Sequence, residues 1–254
     1  MEVALLTIGD ELLAGDTTNT NATWLAKRLT ERGVTVTRIL TIPDERALIA
    51  KKVREYSDAF DAVIVTGGIG GTPDDVTAEA IADAFDREMV VSEQARRAVE
   101  QRLDAIGDAV PDLDLDVAAE ATIPEGARPL LNPEGLAPGC VVENVYAFPG
   151  IPQELKAMFG EVTEEFGGDA VSQFLYTTEP EANIVPTLED VVQQFDVTVG
   201  CYPDRDARHN RLKVTATDEE TLRAATGYLR EHIETSETPV ERDWSRNDAY
   251  GEDS

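Results

Sequence analysis

The segment that most constrains the chain is Thr66-Gly-Gly-Ile-Gly-Gly-Thr-Pro-Asp-Asp75, which follows the short apolar run 62–65. Four glycines fall within five positions (Gly67, Gly68, Gly70 and Gly71). A β-branched run of that length reads as a buried strand, and glycines at its end allow positive φ and close backbone approach. Thr72, Pro73 and Asp75 then resemble a helix start, with Thr72 as N-cap, Pro73 at the first position and Asp75 at the third. Capping explains those three residues without a ligand, but it does not explain the glycines. A glycine turn leading into a helix N-terminus presents free N–H groups and the positive end of a dipole, which suits an anion. The expectation is a phosphate site at Thr66, Gly67, Gly68, Gly70 and Thr72. The spacing matches neither the dinucleotide fingerprint nor the P-loop, because no lysine follows at the proper place.

The flanking pattern alternates strand and helix. Strands are expected at 3–8, 34–42 and 62–66, and helices at 19–32, 44–57, 76–85 and 92–106. The segment after Ile8 reads as a polar loop and 107–120 as a solvated acidic loop. Further strands are expected at 128–131 and 140–148, and a helix at 153–166 after Pro152. Alternation of this kind predicts an α/β fold with a mostly parallel sheet between helices. Ligands in such sheets bind beyond the carboxyl ends of the strands, so the loops after Ile8 and Thr66 are expected to face one crevice. Beyond about Gly168 the order becomes β-α-β-β-α. The expected domains are therefore 1–168, a small α+β lobe over 169–235, and a disordered acidic tail over 236–254.

Candidate chemistry gathers in three places. In the glycine turn, Asp74 and Asp75 are adjacent and would point about 100° apart on a helix. One would cap while the other binds a cation or activates water, and a bridging Mg²⁺ would turn their repulsion of phosphate into binding. In the loop after strand one, Gly9 is followed by Asp10, Glu11 and Asp16, either a solvated acidic cluster or part of the site. Asn19 or Asn21 would cap the next helix or hydrogen-bond a ribose or base. The third place is Asn132-Pro-Glu-Gly135-Leu-Ala-Pro-Gly139, which composition alone reads as turns. His209 is expected in a solvated hairpin of the small lobe.

Composition removes several function classes. Fifty acidic residues against 22 basic ones give a net charge of −28, spread along the chain as in a protein of a high-salt cytoplasm. No basic patch serves a nucleic-acid backbone, and no run reaches the ~18 apolar residues of a membrane span. The N-terminus lacks a basic region ahead of its apolar stretch, so a cytoplasmic protein is expected. Two histidines and two distant cysteines leave little for a zinc site or a Ser-His-Asp triad.

Taken together, the three segments resemble the molybdopterin-binding (MoaB/MogA-like) domain, and more closely the N-terminal domain of the CinA family of competence/damage-inducible proteins. The matching residues are Thr7-Ile-Gly-Asp-Glu-Leu-Leu-Ala-Gly with Asn19 and Asn21, the run from Thr66 to Asp75 with Val-Thr-Ala-Glu-Ala after it, and Asn132-Pro-Glu-Gly-Leu-Ala-Pro-Gly with Phe148-Pro-Gly-Ile-Pro-Gln-Glu. The resemblance covers roughly residues 1–235 and implies a three-layer sandwich with a small C-terminal lobe. It also implies handling of a phosphate or pyrophosphate ester: binding or adenylylation of molybdopterin, or metal-dependent hydrolysis of ADP-ribose or FAD. On that basis Gly67, Gly68 and Gly70 would cradle phosphate, and Asp10 and Asp75, with Glu11, would be the metal or catalytic carboxylates. Asn132, Gly135 and Gly139 would line the opposite wall. The implied cofactor is a divalent cation (Mg²⁺, Mn²⁺ or Co²⁺), and the implied partner is a small-molecule nucleotide or pterin phosphate. The implied assembly is a homodimer or trimer. The chain departs from the family in having Gly71 where proline is usual, and no deamidase domain is expected. A metal-dependent nucleotide pyrophosphatase is the leading expectation, with molybdopterin handling or a non-catalytic binding module as alternatives.

Overall fold

The computed structural model describes residues 1–106, 115–204, 207 and 209–240. The chain divides into two compact units, Met1–Gly168 and Asp169–Ser254.

In the first unit the order is β1 (Glu2–Ile8), α1 (Asp10–Ala14), α2 (Thr20–Glu31), β2 (Thr35–Ile42), α3 (Arg46–Ala59), β3 (Ala62–Thr66), α4 (Thr77–Ala84), β4 (Met89–Val91) and α5 (Glu93–Ile106). Then come α6 (Val117–Glu120), β5 (Thr122–Pro124), β6 (Arg128–Leu130), β7 (Gly139–Val142), β8 (Val145–Phe148) and α7 (Pro152–Val162). The six-stranded sheet runs β2-β1-β3-β8-β7-β6. Its first four strands are parallel, and β7 and β6 return antiparallel. β4 and β5 form a separate antiparallel pair.

Alternation along β1 builds the layers. Val3 and Leu5 point into one core with Ala22, Leu25 and Leu29 of α2 and Leu155, Met158 and Phe159 of α7. Ala4, Leu6 and Ile8 point into another with Ile49 and Val53 of α3 and Ala80 and Ile81 of α4. The period of two along the strand meets the 3.6-residue period of a helix on each face, giving the expected α/β/α sandwich. Leu25 and Leu29 are fully buried, and burial of a leucine side chain contributes about 1.5–3 kcal/mol. The helix they belong to starts where the Asn19 side chain accepts from the Ala22 amide, which settles Asn19 as its cap.

β2 and β3 lie on opposite sides of β1, so the chain reverses its direction across the sheet there. A crevice at the carboxyl ends of β1 and β3 is the result.

Several elements differ from expectation. The polar loop after Ile8 contains α1, and the acidic stretch expected as loop contains α6; residues 107–114 lie outside the described set. The strand expected over 140–148 is a hairpin, turning at Glu143 with φ 51°. No glycine marks that turn. It is held instead by Asn144, whose Nδ2 donates to the Ser57 and Phe60 carbonyls at 3.0 and 2.9 Å and whose Oδ1 accepts from Ser57 Oγ at 2.6 Å. Helix α4 begins at Thr77 rather than 76, and the expected cap is absent. The Gly68 carbonyl accepts from the Thr77 amide (2.8 Å), while residues 72–75 close a turn of their own from the Asp75 amide to the Thr72 carbonyl.

The second unit comprises β9 (Val171–Thr177), α8 (Glu181–Gln194), β10 (Val197–Asp204), β11 (His209–Ala216) and α9 (Glu219–His232), with strand order β10-β11-β9. This is the β-α-β-β-α order expected, around Leu175, Leu212 and Val214. α8 accommodates Pro186 inside it. His209 is a correction: it is buried, bonded through Nδ1 to the Val240 carbonyl at 2.7 Å, and packed edge-on against Tyr176. The expected tail is corrected at its start too, since Ser236 exchanges backbone hydrogen bonds with Tyr176 at 2.8 Å. The tail from residue 241 onward lies outside the described residues.

Asn144→Ala is expected to destabilise the chain by about 1–3 kcal/mol, because the half-buried carbonyls it serves lose their donor. Chemical denaturation measured beside the wild type checks this, and an unchanged midpoint would refute the role given to Asn144.

Candidate functional site

Four loops leave the carboxyl edge of the parallel strands: those after Ile8, Ile42, Thr66 and Phe148. With the segment at 134–137 they enclose a cleft of about 790 Å³, within the usual range for small-molecule sites.

Its floor is the glycine turn. Gly67 has φ +96°, and a Cβ there would lie 2.3 Å from the Ile8 carbonyl oxygen. Gly68 has φ +65°, and a Cβ there would meet Thr77 Oγ1 at 2.5 Å. Both positions need glycine for conformation and for space. Gly67 N is bonded to the Phe148 carbonyl at 3.0 Å, whereas the amides of Gly68, Ile69, Gly70 and Gly71 have no partner among the described residues. Consecutive free backbone amides in a turn form an anion-binding concavity. Beneath the turn lies Asn21, buried, with Nδ2 donating to the Gly150 carbonyl at 2.7 Å. Asn21 therefore supports the floor rather than meeting solvent. Its Oδ1 and the Thr77 hydroxyl are buried without a hydrogen-bond partner among the described residues.

The carboxylates gather above this floor. Glu11, Asp44, Asp74, Asp75, Glu134 and Glu154 all line the cleft, and among the described residues Arg102 is its one cationic lining residue. Asp75 accepts from the amide and hydroxyl of Thr72 at 3.1 and 2.6 Å, so it clamps the turn as well as facing the cleft. Asp74 accepts from the same hydroxyl at 2.6 Å, which holds its carboxyl below the usual range. Asp44 Oδ2 accepts from the Asp10 amide at 3.0 Å. Burial pushes the Asp44 carboxyl up; the Asp10 amide opposes that, and the charges of Asp10, Glu11 and Asp74 push it higher. Glu120, in the adjoining depression, is raised by burial and by the charge of Asp75.

The opposite wall is organised by Asn132. Its Oδ1 accepts from the amides of Glu134 and Gly135 at 3.2 and 2.8 Å, and its Nδ2 donates to the Ala137 carbonyl and to Glu154 Oε2 at 3.0 and 2.7 Å. Asn132 shapes the wall from behind, and Gly135 lies in it against Glu154. Ile69, Leu136 and Ile151 supply the apolar part, and Ile151 is 57% exposed.

Of the residues expected at the site, the structure brings Gly9, Glu11, Gly67, Gly68, Gly70, Asp74, Asp75 and Gly135 to the cleft. Thr66 is buried at the end of β3. Thr72 lines the adjoining depression. Asp10 contributes its amide, its side chain being outside the lining; successive residues at the start of α1 point in different directions, and Glu11 is the one that faces in. Gly139 belongs to the sheet, where a Cβ would lie 2.2 Å from the Ala147 carbonyl. Asp44, Glu154 and Arg102 were missed. Asp44 stands in the loop after β2, a strand neighbouring β1, and a search of every strand end would have found it. Nothing in the sequence marks Arg102. The donors in the cleft are hard oxygens, which suit Mg²⁺ or Mn²⁺ held by one or two carboxylates together with ligand oxygens. Among the described residues no three His, Cys, Asp or Glu side chains are grouped to hold a metal by themselves.

A family model described as a probable molybdopterin binding domain matches residues 4–167, the unit that carries the cleft. The chain belongs to that family. Its relatives within the molybdopterin-binding domain family include a CinA-like protein and a CinA of solved structure, in line with the resemblance carried by the three motifs. A protein of Archaeoglobus fulgidus is 37% identical over 233 residues, covering 91% of this chain and 97% of that one. A CinA-like protein of Citrifermentans bemidjiense is 36% identical over 245 residues, covering 92% of this chain and 58% of that protein. The crystal structure of CinA from Thermoplasma acidophilum, described as of unknown function, is 30% identical with a TM-score of 0.59, covering 66% of this chain and 99% of that one. Residues 169–240 match a model described as the middle domain of FAD synthase. Among the described residues no helix is long and apolar enough to cross a membrane.

Gly67→Ala is expected to cost about 1–3 kcal/mol, the range for a side chain forced into a disfavoured backbone region, and denaturant titration reads it. A second expectation concerns Asp44. A carboxyl raised in the folded chain holds its proton more tightly there than when unfolded, so its contribution to stability falls as pH rises through that range. Asp44→Asn should therefore raise the unfolding midpoint of the ligand-free chain at neutral pH, with the gain shrinking toward acid pH. Calorimetry at several pH values showing no gain at neutral pH would contradict the crowding of charge described here.

Proposed function

We propose that this protein is a divalent-cation-dependent nucleotide pyrophosphatase acting on ADP-ribose or a similar dinucleotide. The observation that carries the reading is the run of partnerless amides from Gly68 to Gly71, set at a strand end beneath several carboxylates. Amides of that kind receive phosphate oxygens, while carboxylates alone would repel them. A cation held by Glu11 or Asp75 would supply the missing neutralisation.

On this reading the glycine turn binds and orients one phosphoryl group. Asp75, anchored by Thr72, keeps the turn closed around it. With the cation held by Glu11 or Asp75, Asp44 accepts a proton from the attacking water. The apolar rim at Leu136 and Ile151 covers the flat part of the ligand and excludes water. The matches to molybdopterin-binding and FAD synthase models support a ligand that joins a phosphate ester to a planar ring system. The family description favours a second reading with the same geometry, in which the ring is a pterin and the phosphate ester is bound or adenylylated.

Purified protein in high salt with Mg²⁺, Mn²⁺ or Co²⁺ is expected to release AMP from ADP-ribose, followed by chromatography. Absence of release with all three ions would overturn the reading, and co-purifying fluorescent pterin would favour the second. Asp75→Asn should reduce turnover at least about a hundredfold, as loss of a catalytic acid–base or cation-holding group does, while the chain stays folded. Retained turnover would remove Asp75 from the chemistry and leave it as a clamp of the turn.

A further inference from the structure

Among the described residues, Arg102 of α5 is the one cationic residue lining a cleft that six carboxylates share. In a chain with 50 acidic residues, a guanidinium in such surroundings is expected to hold a carboxylate. Arg32, Arg46, Arg87 and Arg128 of the same unit each do so. Arg102 forms no ion pair among the described residues. Its Nη2 donates instead to the backbone carbonyl of Glu134 at 2.9 Å.

That carbonyl is itself braced. The Glu134 amide donates to Asn132 Oδ1 at 3.2 Å, and the Glu134 side chain accepts from Gln153 Nε2 at 2.7 Å. One of five guanidinium donors is thus spent on a fixed point of the wall; Arg102 borders this cleft and the neighbouring depression at 129–133, and its other donors have no protein partner among the described residues. Arginine held this way presents a planar fork matched to phosphate oxygens. Of the partnerless amides in the turn between β3 and α4, those of residues 68–70 belong to residues that border the same cleft from a different element.

We propose that Arg102 anchors the second phosphoryl group of a ligand whose first is held by the glycine turn. The cleft then selects molecules with two adjacent phosphoryl groups over monophosphates. This deepens the pyrophosphatase reading and rests on it for the position of the first phosphoryl group. A diphosphate engages both anchors at once, while a monophosphate satisfies one and leaves the other empty. Cleavage between the two groups would accordingly weaken the hold on both products.

The test is calorimetric titration of the full chain, in concentrated KCl with Mg²⁺, using inorganic pyrophosphate and inorganic phosphate as the probes. The wild type should prefer pyrophosphate by about tenfold to a hundredfold, the range for a charge-assisted hydrogen bond. Arg102→Gln should lose most of that preference while still binding phosphate, which also reports that the glycine turn is intact. Arg102→Lys, keeping the charge but losing the fork, should fall between them. A wild type without preference, or a preference unchanged in Arg102→Gln, overturns the proposal. Hydrolysis is not needed for this readout, so absent turnover on ADP-ribose would sink the catalytic reading and leave the role of Arg102 to be decided by the titration.

Discussion

The Ile8 carbonyl oxygen occupies the space where a side chain at residue 67 would begin, 2.3 Å from an ideal Cβ. That contact lets the ends of β1 and β3 close on each other without a gap. Gly67 takes its positive φ there, hands its amide to Phe148 at the end of β8, and sends the following residues over the top of the sheet. Gly150 then packs against Gly67, and Asn21 holds the Gly150 carbonyl from below. Loops from β1, β3 and β8 are thereby tied into one floor, and the orientation of the free amides follows from the backbone path.

The electrostatics of the cleft run against the stability of the empty protein. Asp44 carries the clearest mark, raised by burial and by three neighbouring acids. A scaffold optimised for stability alone would pair such groups with the arginines it already uses elsewhere on its surface. Leaving them unpaired beside partnerless amides is the arrangement expected of a site whose ligand and counterion complete the charge balance. Structures commonly trade stability for function at sites of this kind.

Much of this architecture was legible because it rests on periodicity and glycine. The alternation along 3–8 and 62–66, the helical spacing of Ala22, Leu25 and Leu29, and the glycine cluster each have a local cause. The two-unit reading drew on the change from parallel βα units to β-α-β-β-α near Gly168, where the compact units also divide. What escaped depends on distant partners. The start of α4 was misplaced because its first amide is capped by the Gly68 carbonyl, which no side-chain motif reveals. The hairpin at Glu143 turns without glycine because Asn144 binds carbonyls of the α3 end. His209 looked like part of a solvated basic turn, yet Val240 and Tyr176 bury it. Asp44 and Arg102 reach the cleft through the strand order and the path of α5, and neither is encoded in a contiguous pattern.

The sheet order also has a consequence for how the chain is made. β3 pairs on one side with β1, which precedes it, and on the other with β8, which lies farther off in sequence and follows it, while Asn144 is 87 residues from the Ser57 it binds. During synthesis β1, β2 and β3 can assemble from local βαβ units, but β3 keeps an apolar open edge until β8 has left the ribosome. Non-local pairings of this sort form late and slowly, and an exposed strand edge is a template for association with other chains. The high negative charge of the sequence keeps such nascent chains apart. In this protein, acidity and late closure of the sheet meet in one quantity, the time an unfinished edge survives without finding the wrong partner.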